Sequence, residues 1–263
     1  MSEKFQERAT VLSQECLGAG IYDLTIQTKE IAAHAKAGQF VSVYSADASK
    51  LLPRPISLCG IDGKAGTLRL VYRVTGEGTG TEEFSRLQKG DVVKILGPLG
   101  NGFTVEPGKK AFLIGGGIGV PPMLQLAKDM KNAGVADFQI VMGYRDANTF
   151  LMDEFKEQAE TFVATEDGSV GTKGNVLDAI RANALMADVI YACGPTPMLR
   201  ALKAYAAEQG MDCYISMEER MACGIGACLA CVCNSTSKDE HSNVNNKRIC
   251  KEGPVFDAKE VEL

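Results

Sequence analysis

Met221-Ala222-Cys223-Gly224-Ile225-Gly226-Ala227-Cys228-Leu229-Ala230-Cys231 carries three cysteines at C-x4-C-x2-C, and Cys250 follows after 18 intervening residues. That spacing suits a [2Fe–2S] cluster, in which a tight loop supplies three thiolates and a separate segment closes the cage. Gly224 and Gly226 let the loop fold closely and turn backbone N–H groups toward sulfur. Structural zinc sites more often show two separated C-x2-C knuckles or Cys/His pairs. The nearest equivalent is Cys231 with Cys233, one residue apart, and His241 beyond them. Disulfide frameworks belong to small secreted domains, which a 263-residue chain is not. The pattern favours a cluster on Cys223, Cys228, Cys231 and Cys250. Zinc and plain buried thiols are the competing readings, and Cys233 is expected to be a packed thiol outside the ligand set.

Upstream of that loop, the middle third reads as a nucleotide-binding α/β domain with a parallel sheet. Ala111–Ile114 is a continuous apolar run suited to a buried strand. Gly115-Gly116-Gly117-Ile118-Gly119-Val120-Pro121-Pro122 follows, and Met123–Asn132 then shows helical apolar spacing. Strand, glycine loop and helix make a phosphate-binding turn, with Gly116, Gly117 and Gly119 as candidate contacts. Pro122 stands where a standard dinucleotide fingerprint has its third glycine, and it fits a first helical turn. Strands are expected at Phe138–Gly143, Thr161–Thr165, Asp188–Cys193 and Cys213–Met217. Helices are expected at Leu151–Ala159, Val176–Ala182 and Met198–Gln209. Cys193-Gly194-Pro195 sits at the carboxyl end of a parallel strand, where such sheets bind ligands. Arg145 and Asp146, after the second strand, argue in opposite directions on NAD against NADP.

The first hundred residues read as an antiparallel β-barrel or sandwich. Short β-rich runs such as Ile21–Ile26, Phe40–Tyr44, Thr67–Val74 and Val92–Leu96 are separated by glycine, proline and polar turns. Arg54-Pro55-Ile56-Ser57 offers a guanidinium fork suited to a pyrophosphate and a hydroxyl suited to a flavin edge. Tyr72 to Thr81 ends in Gly80-Thr81 ahead of a short helical stretch, Glu82–Leu87. A glycine at a helix N-terminus presents N–H groups to a phosphate. The structural alternative is a strand, a glycine-rich turn and a helix with Thr81 as N-cap. The candidate contacts in this domain are Arg54, Pro55, Ile56, Ser57, Val71, Tyr72, Arg73, Gly78, Thr79, Gly80 and Thr81. Gly97 to Phe103, with three glycines in its first six residues, is expected to be irregular and to link the domains.

Composition narrows the classes. A net charge of −5 gives no reason to expect nucleic acid or an anionic membrane as partner. The first eight residues lack the apolar core of a signal peptide. The most apolar run, Ala111 to Leu126, is broken by four glycines and two prolines and does not suit a membrane span. Nine cysteines without an export signal point to a reducing compartment and to metal. The expected division is residues 1–103, 104–212 and 213–263: a barrel, an α/β domain and a small cluster-binding domain. The only two histidines, His34 and His241, lie in polar surroundings, and no catalytic acid or base is expected.

Taken together, these segments resemble the ferredoxin–NADP reductase superfamily. Arg54–Ser57 is similar to its flavin-lining motif, Gly115–Pro122 to its dinucleotide loop and Cys193–Met198 to its nicotinamide-side motif. Ile56 departs from the aromatic usual in the wider superfamily. The closer resemblance is to the family of electron-transfer subunits of B-type, NAD-linked dihydroorotate dehydrogenases. It rests on Arg54–Ser57, Gly97–Phe103, Gly115–Pro122, Glu218–Cys231 and Cys250-Lys251-Glu252-Gly253-Pro254-Val255-Phe256, and it spans essentially the whole chain. The resemblance implies FAD in the barrel, NAD on the α/β domain and a [2Fe–2S] cluster on the four cysteines. It further implies an FMN-containing dihydroorotate dehydrogenase catalytic subunit as partner, two of each subunit, in the cytoplasm and in pyrimidine biosynthesis. Electrons would pass singly through the cluster to FAD and leave as hydride to NAD. The segment around Cys223–Cys231 and the tail after Cys250 would face the partner. Two other classes remain: a reductase subunit of a hydrogenase, sulfide-metabolising or transhydrogenase complex, and a zinc-stabilised nucleotide-binding regulator.

Overall fold

The computed structural model describes residues 3–18, 20–135, 137–238 and 243–263. His241 lies outside them. The first domain is a closed barrel of β1 (Phe5–Gly18), β2 (Ile21–Gln27), β3 (Phe40–Tyr44), β4 (Arg54–Asp62), β5 (Thr67–Arg73) and β6 (Val92–Leu99). Its strands run in the order β1-β2-β5-β4-β3-β6, and the β1–β6 pairing closes it. Alternation builds the interior: Val41 and Val43 of β3 meet Leu24, Ile26, Leu58, Leu70 and Ile95 inside. Phe40, on the other face of β3, joins Leu99, Cys231, Cys250 and Phe256 in a second core outside the barrel. Two short helices sit on it, α1 (Ile31–His34) and α2 (Gly80–Phe84). β6 runs on through Gly97-Pro98-Leu99, where irregular chain was expected, because Phe5 and Phe40 still supply partners for Gly97 and Leu99. The irregular link starts only at Gly100.

The second domain alternates strand and helix: β7 (Ala111–Gly116), α3 (Val120–Asn132), β8 (Phe138–Tyr144), α4 (Met152–Lys156), β9 (Thr161–Thr165), β10 (Thr172–Lys173), α5 (Val176–Ala182), β11 (Val189–Cys193), α6 (Thr196–Gln209) and β12 (Asp212–Ser216). A one-turn 3-10 helix, Gly117–Gly119, joins β7 to α3. The sheet order is β10-β9-β8-β7-β11-β12, all parallel. The expected helix at Leu151–Ala159 shrinks to five residues: Leu151 adopts φ 67° ahead of it, and the chain turns from Glu157 onward.

In the last segment, β13 (Val232–Asn234) and β14 (Asn246–Arg248) pair antiparallel. β15 (Val255–Asp257) then pairs antiparallel with β12 as the seventh strand of the middle sheet. β12 itself straddles the division expected at 212/213. No helix among the described residues is long and apolar enough to cross a membrane.

The domains are bolted together by polar contacts. Arg69 of the barrel holds Asp23 at 2.6 Å and reaches across to Glu154 of α4 at 2.7 Å. Ile61 donates its N–H to Gln125 Oε1 of α3 at 2.7 Å. Burial alone would push the Glu154 carboxyl up, but the hydrogen bond and charge of Arg69 outweigh it and hold it below the ordinary range. Arg69→Met is therefore expected to cost about 1–2 kcal/mol near neutral pH, the pair being partly screened by solvent. The advantage of wild type over the variant is fully present above the ordinary glutamate value of 4.5. It fades as pH falls through the depressed folded value, because the unfolded chain binds the proton first. Urea unfolding of both proteins across the acid range reads this directly.

Candidate functional site

A cavity of about 530 Å³ opens where the three segments meet, a volume usual for cofactor sites. The barrel contributes Arg54, Pro55, Ile56 and Ser57 from β4, Val71, Tyr72 and Arg73 from β5, and Thr75 and Thr81 beyond. The α/β domain contributes Ile118 from its glycine loop. Met217–Met221, just ahead of Cys223, and Pro254, just after Cys250, form the opposite wall together with Phe40. Eight expected residues thus share one space.

Gly78, Thr79 and Gly80 flank that space. Gly80 backs the Arg54 side chain: a Cβ there would meet Arg54 Nε at 3.4 Å. Thr79, not Thr81, is the N-cap of α2, its hydroxyl accepting the Glu82 N–H at 3.2 Å. Thr81 instead turns inward and accepts the Thr75 N–H at 3.0 Å. Gly78 is exposed and donates its N–H to Glu82 Oε2 at 2.6 Å. Arg54 is anchored by donating from Nη1 to Leu52 O at 2.8 Å, which leaves other donors of its fork for a phosphate.

The glycine loop meets the Cys193 turn by direct backbone approach. A Cβ on Gly119 would stand 2.4 Å from the Cys193 carbonyl oxygen, and one on Gly116 would stand 2.5 Å from Met198 Sδ. The backbone obstacle requires glycine at 119, while at 116 the Met198 side chain would have to shift, so the two motifs read separately in the sequence form one surface at the carboxyl end of the sheet. Arg73 joins it from the barrel, its Nη2 3.7 Å from a Cβ position on Gly117. Cys193 is fully buried behind this surface. Burial, with the nearby Glu218 charge, pushes its thiol far up, so it stays neutral. Gly194 and Pro195 line a neighbouring cavity of about 550 Å³ with Glu218 and Cys233. Glu218 thus faces both spaces.

All nine cysteines are free thiols. Four of them lie as two neighbouring pairs, Cys223 beside Cys228 and Cys231 beside Cys250. Burial pushes the Cys223 thiol up, but N–H donors from Ile225 at 3.5 Å and Ala227 at 3.3 Å, together with Cys228, pull it down to about 7. Cys231 is lowered to about 6 by the Cys250 side chain, against burial, with the Cys250 N–H 3.4 Å from its sulfur. Cys250 is pushed up by the neighbouring Cys231 and by burial. Arg248 Nη1 donates to Gly226 O at 3.1 Å and ties the loop to the Cys250 segment. Two thiol pairs suit a centre of two irons, each taking two thiolates. Among the described residues no three His, Cys, Asp or Glu side chains are grouped as a single-ion site would need. Three thiols on one tight loop and a fourth on a separate segment fit a [2Fe–2S] group. Cys233 points elsewhere, its thiol 3.5 Å from Lys247 O, in line with a packed role.

Sequence reading did not find the wall made by Phe40, Ile118, Met217–Met221 and Pro254. The only available signal was position, since Met217–Met221 and Pro254 flank the first and last cluster cysteines. His34 is far from any such role: it is exposed and bonds Glu30 O through Nδ1 at 2.8 Å.

Comparison with known proteins agrees with this geometry. Residues 9–103 match the oxidoreductase FAD-binding domain, and residues 113–204 match the oxidoreductase NAD-binding domain. Residues 218–262 match the iron–sulfur cluster binding domain of dihydroorotate dehydrogenase B. Among solved structures, that of an NADH-dependent reduced ferredoxin–NADP oxidoreductase superposes with TM-score 0.85 at 29% identity, covering 97% of this chain and 90% of that one. A ferredoxin NADP+ reductase from Neisseria gonorrhoeae shares the fold at TM-score 0.66 and 16% identity, over 81% of this chain and 94% of its own. The electron transfer subunit of dihydroorotate dehydrogenase B (NAD(+)) from Bacillus caldolyticus is 46% identical over 262 residues, 98% of this chain and 99% of that protein. The namesake from Enterococcus faecalis is 42% identical over 268 residues, 99% of this chain and all of that protein. With three domains in the same order and identity sustained from end to end, the chain belongs to the family of electron transfer subunits of NAD(+)-linked dihydroorotate dehydrogenase B.

Proposed function

We propose that this chain receives electrons from an FMN-containing dihydroorotate dehydrogenase subunit and delivers them to NAD+ in cytoplasmic pyrimidine biosynthesis, with two copies of each subunit in the complex. Cys223 with Cys228 and Cys231 with Cys250 hold the [2Fe–2S] cluster. Arg54–Ser57, Val71–Arg73 and Thr81 hold FAD, with Gly78, Thr79 and Gly80 shaping the turn beneath its pyrophosphate. Gly116, Gly117, Gly119, Cys193, Gly194 and Pro195 receive NAD. When bound, the cluster exchanges single electrons, the nicotinamide accepts only hydride, and the flavin mediates between one- and two-electron steps.

The observation that carries this reading is the shared cavity wall. Met217–Met221 leads straight into Cys223, and Pro254 follows Cys250 by four residues, so the segment that holds iron also walls the flavin space. Arg54 binds and Phe40 and Met221 help to wall the cavity, while the proton that leaves with each hydride has to be supplied apart from the electrons, which pass through the cluster without one. The functional units are residues 1–103, 104–212 and 213–263, with β12 and β15 as structural members of the middle sheet. Exposed Ile225 and Leu229 flank Cys228 and offer an apolar docking surface beside the cluster.

The test is a visible spectrum of the complex, purified anaerobically after co-expression with the catalytic subunit. Dihydroorotate is expected to bleach flavin and cluster bands, and NAD+ to restore them. Bands that ignore dihydroorotate but bleach with NADH would keep the reductase and change the partner. A colourless protein would return the thiols to zinc.

A further inference from the structure

Ser42 is fully buried, and its hydroxyl has no hydrogen-bond partner among the described residues. Such a group costs stability and calls for a reason. Its position supplies one. In β3, Val41 and Val43 fill the barrel, so Ser42 points outward with Phe40. Outside lies the cluster loop: a Cβ on Gly224 would stand 3.2 Å from Ser42 Oγ and 3.0 Å from Leu99 Cδ1. Ser42 pairs in register with Pro55, whose strand lines the flavin cavity. The hydroxyl therefore faces the residue that follows Cys223, on a strand next to one that lines the flavin cavity. The N–H groups of Ile225 and Ala227 already approach the Cys223 sulfur from within the loop. Ser42 is the polar group that the barrel presents to the same loop.

We propose that the Ser42 hydroxyl donates a hydrogen bond to a sulfur of the cluster on its Cys223 side and raises its reduction potential. A donor to sulfur stabilises the reduced, more negative cluster more than the oxidised one. This makes Ser42 a positioning and tuning residue of the electron path, and it rests on the cluster reading given above. An alanine or valine would fill the site without stranding a hydroxyl, so the serine is explained by an acceptor that arrives with the iron.

The experiment is a redox titration of the intact complex, following the paramagnetic signal of the reduced cluster, for wild type, Ser42→Ala and Ser42→Thr. Ser42→Ala is expected to lower the equilibrium constant for cluster reduction roughly three- to tenfold, tenfold being about 59 mV for one electron. Ser42→Thr is expected to restore it, and the flavin midpoint to stay unchanged. An unaltered cluster midpoint in Ser42→Ala overturns the proposal while leaving the cluster reading intact. A wild-type protein with no such signal fails the cluster reading itself. Should Ser42→Ala not assemble a cluster, Ser42→Cys, a weaker donor of similar size, gives the same decision: a lowered midpoint supports the bond, and an unchanged one overturns it.

Discussion

Replacing Cys228 by alanine is expected to strip the cluster bands from the visible spectrum while leaving the flavin bands and their bleaching by NADH in place. Cys228 is exposed, unlike the buried Cys231 and Cys250, so its loss opens no core cavity. What it removes is one of the four proposed thiolate ligands, and a cluster short of one thiolate is expected to be lost. Dihydroorotate-driven reduction of NAD+ in the complex should fall to background. NADH-driven reduction of a soluble dye, which needs only the flavin and nucleotide sites, should persist. Cys228→Ser keeps an oxygen donor and should give a cluster that is present but easily lost. Retention of a full cluster signal in Cys228→Ala would show that another thiol, Cys233 first, completes the set.

Gly119→Ala is expected to damage the nucleotide site without touching the flavin. The added methyl would lie 2.4 Å from Cys193 O and 2.5 Å from Gly194 N. Both obstacles are backbone atoms in a central strand and its turn, so no side chain can swing aside. Either α3 withdraws from β11 or the Cys193 turn moves. Overpacking of this kind costs about 1–3 kcal/mol, which for a chain of this length lowers Tm by roughly 2–12 °C. KM for NADH should rise, since the turn and the loop lose their common surface. Bound FAD per chain should stay near the wild-type level, because the barrel supplies most of that cavity and only Ile118, beside Gly119, faces it from the loop. An unchanged Tm would mean that the loop has slack this geometry does not show.

The sequence was legible wherever the signal is local. Phe40–Tyr44, Thr161–Thr165 and Val176–Ala182 form with the limits read from their pattern, and spacing alone singles out four cysteines as candidate cluster ligands. β1 was missed because its 14 residues bury only Ala9 and Val11 and show charge on the other face. β4 was read for chemistry and proved to be both a strand and a cavity wall, since an edge that touches a ligand must itself be held. The wall from Met217 to Met221 and the role of Pro254 were not legible. They are set by docking the last segment on the barrel, through Asn101 N–H to Gly253 O at 2.6 Å and Asn101 Nδ2 to Glu252 O at 2.9 Å. Contacts 150 residues apart in sequence leave no periodic trace.

The placing of β15 has a consequence for how the chain is made. Its partner β12 ends at Ser216, and 38 residues separate that strand from Val255. At ribosomal speed those residues take roughly 2–8 s to emerge. Throughout that interval the growing polypeptide carries Asp212–Ser216 as a bare sheet edge, with Ile215 and Tyr214 beside unpaired backbone groups, a template for pairing with a neighbouring nascent chain. Cys250 is also still missing, so the thiol set is incomplete for most of the same window. Protection from aggregation and readiness for iron thus arrive together, within the last few residues to leave the ribosome before Val255–Asp257 seals the edge.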